Sequence, residues 1–252
     1  MPGSTTVSHN GVIITFNEDN HSYIDEKKRK YTSVTTLIGL GFEPFDSVGI
    51  AKRKAGDNWE KLVLEWKEKG RLAAEAGTRL HENCERLILN EKDCVLHIGR
   101  NEEEKKKFSL AEEAVWKIKN DPENCKFEPE KLVFSPKLKL AGSIDLLVTC
   151  RDGSYHIFDW KNIKGISQRG FNGKTGILDC TKDIQDSNFW HYALQLQIYE
   201  IILKMEGYIP PDAKVKRTLN VFENGSMNQY PLPSVAEAAK GLIKWNLQRK
   251  EV

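Results

Sequence analysis

Residues 140–162, LAGSIDLLVTCRDGSYHIFDWKN, constrain the fold more than any other stretch of the chain. Two apolar runs flank the polar Asp152-Gly153 turn, and this pattern predicts a pair of sequential strands. Side chains alternate between the two faces of a strand, so a hairpin would bring Asp145 and Asp159 close together on one face. Buried carboxylates are costly unless something compensates their charge. The pattern therefore predicts a cation at this place.

A divalent cation would remove both the repulsion and the desolvation cost, and Mg²⁺ is usually held by one or two carboxylates together with water and substrate phosphate. Lys161 shares a face with Asp159 and would orient a water molecule and stabilise charge on phosphate. Two carboxylates and a lysine are the minimum set for metal-assisted hydrolysis of a phosphodiester. The D/E-x-K pattern alone is weak, because Asp25-x-Lys27, Glu65-x-Lys67 and Glu103-x-Lys105 also match it in polar segments typical of a solvated surface.

The composition is that of a globular protein, with 39% hydrophobic and 29% charged residues among 252. The net charge of +2 is close to neutral and does not exclude nucleic acid, since a local basic patch is enough to bind phosphate. No apolar run is long enough to span a bilayer. The first residues, MPGSTTVSHN, lack the apolar core of a secretory signal, and the first arginine, Arg29, fits a mitochondrial presequence poorly.

The cysteines predict free thiols in a reducing intracellular compartment, the cytoplasm or the nucleus. Their number is odd, and none forms a C-x-x-C pair, which makes a zinc or disulfide framework a poor explanation. They are Cys84, Cys94, Cys125, Cys150 and Cys180.

Periodicity predicts an α+β fold with a mostly helical first half. Hydrophobic spacing and turn signals place the elements as follows: a hairpin over 11–24, a short helix capped by Ser33 or Thr32, helices over 57–69 (Asp57 as cap, Gly70 as stop), 71–90 and 101–119, strands from 126 to 161, a long mobile loop over 163–187, a helix over 188–206, a strand over 214–223 and a helix over 234–248. We expect one domain over 1–252, with the hairpin and helices in 1–120 and the catalytic sheet and last helices in 121–252.

Four motifs in order resemble the RecB-like branch of the PD-(D/E)xK nuclease superfamily. They are Gly77-Thr78-Arg79-Leu80-His81, Gly142 to Asp145, Asp159-Trp160-Lys161 and Gln195 to Tyr199. Over roughly residues 20 to 205, the segments YTSVTTLI and AGTRLHENCERL also look like the mitochondrial genome maintenance exonuclease and related phage and viral exonucleases. The resemblance implies a restriction-endonuclease-like core, a mixed central sheet flanked by helices.

The resemblance also implies roles for individual residues. The metal ligands would be His81, Asp145, Asp159 and the Trp160 carbonyl, and Lys161 would orient the attacking water. Glu130 would be a ligand or water-positioning base, with Glu128 as the nearby alternative. Gln195 would hold Lys161 or phosphate, and Tyr199 would pack near the scissile nucleotide. The alternative for His81 and Tyr199 is a purely structural place in the core.

Nucleic acid contacts are expected at two places. Hydroxyls of Ser33 and Thr35, with helix amides, would meet phosphates, although plain helix capping explains these residues equally well. The loop after Lys161 is basic and contains Phe171, which suits single-stranded DNA, although an insert without function is nearly as good an explanation. The basic residues expected to bind are Lys164, Arg169 and Lys174.

The function predicted from these residues is that of a Mg²⁺-dependent DNA exonuclease of replication, repair or recombination, with Mn²⁺ as a substitute ion. Its substrate would be single-stranded DNA or DNA ends, without a membrane, and a protein partner is possible because no G-x-x-x-x-G-K-[ST] helicase motif is present. An iron–sulfur cluster is not expected, since no cysteine follows Cys180. The alternatives are a structure-specific endonuclease on the same core, a catalytically silent nucleic-acid-binding protein, and a structural protein with surface carboxylates.

Overall fold

The computed structural model describes residues 3–18, 20–90, 96–223 and 225–249. Within them, nine strands form one mixed sheet, and helices pack on both of its faces. The strands are β1 (Ser4–His9), β2 (Val12–Asn17), β3 (Ser22–Asp25), β4 (Lys30–Ser33), β5 (Asn124–Ser135), β6 (Leu140–Cys150), β7 (Tyr155–Lys161), β8 (Val215–Glu223) and β9 (Ser226–Pro231). The helices are α1 (Val34–Gly39), α2 (Ser47–Ala55), α3 (Trp59–Leu89), α4 (Glu102–Asn120), α5 (Asn188–Met205) and α6 (Ala236–Gln248). This is an α+β restriction-endonuclease-like fold, as predicted.

Strand β6 is the centre of the sheet, and two other strands share one of its edges. We call the gap where these two strands diverge the fork. β5 runs antiparallel along the whole of one edge of β6. On the other edge, β4 pairs in parallel with Leu140 and Ala141, and β7 pairs antiparallel with residues 146–149. Residues 142–145 therefore lie in the gap where β4 and β7 diverge, and their side chains are accessible to groups from other elements.

The two faces of the sheet carry separate apolar cores. Helices α1, α5 and α6 pack on one face, where Leu147, Ile157 and Leu219 are buried. Helices α3 and α4 pack on the other face, against Leu146, Phe158 and Trp160. The alternation of side chains along β6 and β7 supplies both cores. It leaves the polar residues of the same strands at the fork.

The predicted elements from 124 onward agree with the structure, apart from strand β9, which the sequence reading missed. Strands β1 and β4 and helix α2 were also missed, so the first half contains four strands where two were predicted, and one helix that was not predicted. Residue 19 lies outside the described residues, so only part of the N-E-D-N turn is seen. The four described cysteines are free thiols, and Cys94 lies outside the described residues.

The prediction of two helices separated by Gly70 is wrong, because α3 continues from Trp59 to Leu89 without a break. A glycine inside a helix costs conformational entropy but keeps its backbone hydrogen bond. Arg71 also ties the helix together across this point through ion pairs with Glu68 and Glu75. Asp57 does not cap the helix and lies in a short 3-10 turn before it.

The segment 163–187, predicted as a loop, has local structure of its own. A 3-10 turn covers Phe171–Gly173, and Thr175 and Gln185 form an isolated bridge. Thr181 is fully buried, and its hydroxyl donates to the carbonyl of Gly41 at 2.9 Å. The second half of the segment is therefore packed onto the chain just after α1. No helix among the described residues is long and apolar enough to cross a membrane.

Candidate active site

The fork gathers the side chains that the sequence placed on β6 and β7. The ammonium of Lys161 lies 2.6 Å from Asp159 Oδ2 and 3.8 Å from Asp145 Oδ2. Both carboxylates are nearly inaccessible, with side chains 9% exposed for Asp145 and 3% for Asp159. Asp145 Oδ2 also accepts a hydrogen bond from the backbone N–H of Trp160 at 2.7 Å, which fixes its orientation. The three charged groups therefore form one cluster, in which the carboxylates are buried and Lys161 is partly exposed.

The cluster has an excess of negative charge in a poorly hydrated place. Burial and the nearby Asp145 raise the pKa of Asp159 to about 6, although Lys161 opposes them. Burial would lower the pKa of Lys161, but Asp159 and Asp145 outweigh it and the pKa is raised. Asp159 Oδ2 forms its ion pair without a hydrogen bond of acceptable geometry. A buried carboxylate oxygen in this state is suited to bind a cation.

His81 reaches this cluster from α3. Its Nε2 lies 2.9 Å from the Trp160 carbonyl, which can only accept, so Nε2 carries the proton. Nδ1 then faces Glu130 Oε1 at 3.6 Å and Asp145 Oδ2 at 3.7 Å. Burial would lower the pKa of His81, but Asp145 and Glu130 raise it to about 9. Without a proton on Nδ1, three acceptors would face one another, and this arrangement requires either that proton or a cation.

Glu130 is held in place by an unusual backbone conformation. Its φ of +43° lies in the left-handed region, in the middle of β5, where a residue other than glycine is strained. Its carboxylate accepts a hydrogen bond from the Ser143 hydroxyl at 3.1 Å. The alternative residue, Glu128, points elsewhere and forms ion pairs with Lys131 and Lys126. Of the two glutamates, Glu130 is the one that faces His81 and Asp145.

The donor set fits a metal ion. Ligand atoms of His81, Glu130 and Asp145 all lie within 4.8 Å of one another. Carboxylate oxygens are the ligands that Mg²⁺ and Mn²⁺ prefer, and an imidazole nitrogen is a ligand more typical of transition-metal ions. Asp159 lies outside this group of three and faces Lys161. The Trp160 carbonyl, predicted as a ligand, accepts the hydrogen bond from His81 Nε2 and so orients the imidazole.

Gln195 and Tyr199 lie on α5 above the fork, one helical turn apart. The Gln195 amide donates to the Tyr199 hydroxyl at 3.3 Å, and both residues are buried. A Cβ on Gly142 would lie 2.6 Å from the Tyr199 ring, so the motif glycine on β6 provides room for the tyrosine. Burial raises the pKa of Tyr199 well above its ordinary value. Tyr199 therefore belongs to the core that supports the site.

The residues predicted to contact nucleic acid are divided between two places. Ser33 is the N-cap of α1, where its Oγ accepts from the Thr36 N–H, and it pairs with Ala141 next to the fork. Thr35 is exposed, and its hydroxyl lies 3.1 Å from that of Ser33. On the loop after β7, Lys164 and Arg169 are exposed. Lys174 forms an ion pair with Glu43.

Two residues to which the sequence assigned no role also contact the site. The ring of Tyr192 lies 5.2 Å from the Lys161 ammonium, a cation–π contact. Its position three residues before Gln195 on one helix was the available signal. Ser143, which orients Glu130, shares a face with Asp145 by strand alternation and could have been found in that way.

The fold that carries this cluster is of the restriction-endonuclease-like class. No protein-family model and no curated sequence matches the chain. Among solved structures, the chain is similar to a protein from Eubacterium rectale provisionally named exonuclease, at 12% identity and a TM-score of 0.41, covering 89% of this chain and 81% of that one. It is also similar to the protein SSO0001, at 13% identity and a TM-score of 0.33, covering 86% and 75%. Neither likeness bears on function, which only the side chains of the site indicate.

Proposed function

We propose that this protein is a metal-dependent nuclease, and more specifically a Mg²⁺-dependent DNA exonuclease acting on single strands or ends. One observation carries the proposal. His81, Glu130 and Asp145 surround a space suited to a cation, and a buried lysine ion pair stands directly beside it. Metal ligands next to a fixed ammonium group suit the hydrolysis of a phosphodiester, where negative charge grows on phosphate oxygens.

His81, Glu130, Asp145 and Asp159 would hold the ion. When bound, Mg²⁺ supplies Lewis acidity toward the phosphate and lowers the pKa of water. Asp145 is oriented for this role by the Trp160 N–H, and His81 by the Trp160 carbonyl. Glu130 is oriented by Ser143. Three of the four ligands therefore have a second contact that fixes their direction, as is usual in metal sites.

Lys161 has the second role. Its ammonium is held between the carboxylates and the Tyr192 ring, and its raised pKa keeps it protonated at neutral pH. A protonated lysine donates hydrogen bonds to the attacking water and to phosphate oxygens, and so orients one and stabilises charge on the other. Gln195 and Tyr199 would support the fork from α5, and Gln195 would hold Lys161 or phosphate.

The outer contacts of the substrate would come from the two places described above. Ser33 and Thr35 stand beside β6 at the start of α1, and Lys164 and Arg169 follow directly from the catalytic strand. Hydroxyls and basic side chains contact phosphates without reading the sequence. Lys174 would join them by exchanging Glu43 for phosphate.

The decisive experiment is the assay of purified variants on end-labelled DNA with Mg²⁺. Asp145→Asn, Asp159→Asn and Lys161→Ala should each lower kcat by about 100-fold or more, because each removes a group fixed at the reacting phosphate. DNA binding should persist. The matched control is Asp152→Asn, an exposed acid in the turn of the same hairpin. Near-normal cleavage by Asp145→Asn or Lys161→Ala would contradict the proposal.

The choice of ion and the mode of attack are tested in the same assay. Mn²⁺ should replace Mg²⁺, Ca²⁺ should permit binding without turnover, and EDTA should stop the reaction. A covalently closed single-stranded circle should survive conditions that degrade the linear form. Cleavage of the circle would favour the endonuclease alternative on the same core, and robust digestion in EDTA would refute the metal-dependent mechanism.

A further inference from the structure

A cavity of about 740 Å³ adjoins the candidate active site on the side of the N-terminal strands. It lies between the β1–β3 meander and the middle of α3, and it opens onto His81, Glu130 and Ser143. Its volume is within the range of small-molecule binding sites. A group bound in this cavity would stand next to a phosphate held at the fork.

The helix side of the cavity contains a glycine that the protein itself does not require. A Cβ on Gly77 would meet no atom within 4 Å, and its backbone is ordinary helix with no positive φ. Glycine destabilises a helix interior relative to alanine, but Gly70 of the same helix is also in open space, so what distinguishes Gly77 is that it lines the cavity. The space beside Gly77 belongs to the cavity, and a ligand in the cavity is what would need that space.

The strand side of the cavity is an aromatic surface. Phe16 stacks on Tyr23 with ring centroids 4.6 Å apart and planes 22° apart, and the two residues are partners across β2 and β3. His21 stands edge-on to Phe16 at 5.1 Å, and its φ of +51° lies in the left-handed region. Tyr23 is buried, whereas Phe16 is partly exposed and His21 is exposed. The rings of Phe16 and His21 are therefore available to a flat ligand.

The β1–β3 meander is anchored to the end of α5, which holds the aromatic surface in place relative to the candidate active site. His9 stacks on Tyr208 at 3.6 Å, and its Nε2 donates to the Glu206 carbonyl at 2.8 Å. Asn10 donates to the same carbonyl at 2.7 Å. These contacts join the tip of the β1–β2 hairpin to the end of α5, the helix that carries Gln195 and Tyr199.

The charges of the cavity decide which part of a nucleotide it would accept. Glu18, Glu82 and Glu85 line it together with Glu130. Carboxylates repel phosphate but accept an uncharged ring, and the compensating cations of the site lie at the fork. A nucleotide would therefore place its base in the cavity and its phosphate at Lys161 and the metal ligands.

We propose that this cavity binds the unpaired base of the nucleotide next to the cleaved bond, between Phe16 and His21 on one side and Gly77 on the other. The proposal rests on the proposed nuclease function and adds to it the place where a base of the single-stranded substrate, or of a strand unpaired at its end, would bind. Stacking on aromatic rings accepts any base, so the enzyme selects strandedness and not sequence.

The first test compares two glycines of one helix. Gly77→Ala and Gly70→Ala should both raise the melting temperature by about 2–4 °C, because both remove a helix-weakening glycine in open space. Only Gly77→Ala should weaken binding of a single-stranded oligonucleotide, measured by fluorescence anisotropy with Ca²⁺. Equal binding by both variants would overturn the proposal.

The second test removes either the aromatic ring from the protein or the base from the oligonucleotide. Phe16→Leu should weaken binding of the intact oligonucleotide by about five- to 100-fold, the range for loss of one base–aromatic stack. Two oligonucleotides are compared, one abasic at its 5′ end and one at its 3′ end. One of the two should bind the wild type more weakly by a similar factor, and that same oligonucleotide should bind Phe16→Leu and the wild type equally. Trp116→Leu, an exposed aromatic on α4, is the control.

His21→Asn provides a variant that tolerates the left-handed backbone and leaves the Phe16–Tyr23 packing intact, in case Phe16→Leu fails to fold. It should show the same dependence on the base. If the wild type neither binds nor cleaves nucleic acid, the proposed function itself fails. If the wild type cleaves but the variants at 16, 21 and 77 respond to intact and abasic strands as the wild type does, this inference alone fails.

Discussion

Gly142 should be intolerant of even one added carbon, because the Tyr199 ring occupies the place of a side chain. The Cβ of Gly142→Ala would lie 2.6 Å from Tyr199 Cε1 and 2.7 Å from its hydroxyl oxygen, whereas ordinary contact begins at 3.4 Å. The ring would have to retreat by about 0.8 Å, within a core that is already close-packed. Overpacking of this kind costs about 1–3 kcal/mol.

The movement has a second cost. The Tyr199 hydroxyl accepts a hydrogen bond from the Gln195 amide at 3.3 Å. A displaced ring would lose this buried hydrogen bond, which is worth about 1 kcal/mol. The sum predicts a loss of about 2–4 kcal/mol in the free energy of unfolding. For a chain of this size that corresponds to a fall of about 5–15 °C in melting temperature.

Equilibrium denaturation in urea measures this quantity, and a double-mutant cycle tests its cause. Tyr199→Leu removes the ring atoms that meet the new Cβ, so the double variant should be more stable than the sum of the single losses predicts, by about 1–3 kcal/mol. Gly70→Ala serves as the glycine-to-alanine control in open space. A Gly142→Ala protein as stable as the wild type, or a strictly additive double variant, would refute the steric reasoning.

Three further predictions concern charge, capping and metal. The pKa of Asp159 is raised to about 6 from 3.8, so the folded state holds a proton that the unfolded state has already released. In EDTA, the free energy of unfolding of the wild type should therefore fall by about 3 kcal/mol as pH rises from about 4 to 6. Asp159→Asn should remove this pH dependence in urea melts, and a flat wild-type curve would contradict it. Ser33→Ala should cost about 1 kcal/mol in the same melts, since it frees the Thr36 N–H, while Ser33→Thr should retain most of the stability. Mg²⁺ should raise the melting temperature of the wild type in a thermal-shift assay by mass action and EDTA should reverse it; an equal rise in His81→Asn would exclude the histidine as a ligand.

The local patterns of the sequence were sufficient for several parts of the site. Alternation along two strands joined by a turn predicted that Asp145 and Asp159 would meet, and Lys161 lies between them. The cap at Ser33 and the one-turn spacing of Gln195 and Tyr199 also follow from helical geometry alone. These features depend on contacts along the chain or between adjacent strands, and the periods of 2 and 3.6 residues encode such contacts directly.

The sequence did not decide how far each helix extends, because propensity is a weak effect beside packing. Gly70 satisfied the signal for a helix end, but α3 continues through it, supported by the ion pairs of Arg71 on both sides. Strand β1, which has few apolar residues, became predictable only from its pairing with β2. In both cases the determining partners are not visible in the local pattern.

The sequence by itself determined the hairpin, its two carboxylates and its lysine, since a strand must alternate and a buried pair of acids must be compensated. The tertiary structure alone decided that His81 reaches the Trp160 carbonyl, 79 residues away. It also decided that Glu130 faces His81, whereas Glu128 forms an ion pair with a lysine. It also decided that an N-terminal meander closes a cavity beside Gly77. Contacts of this kind depend on how whole elements pack, and packing is a property of three-dimensional shape that no local period records.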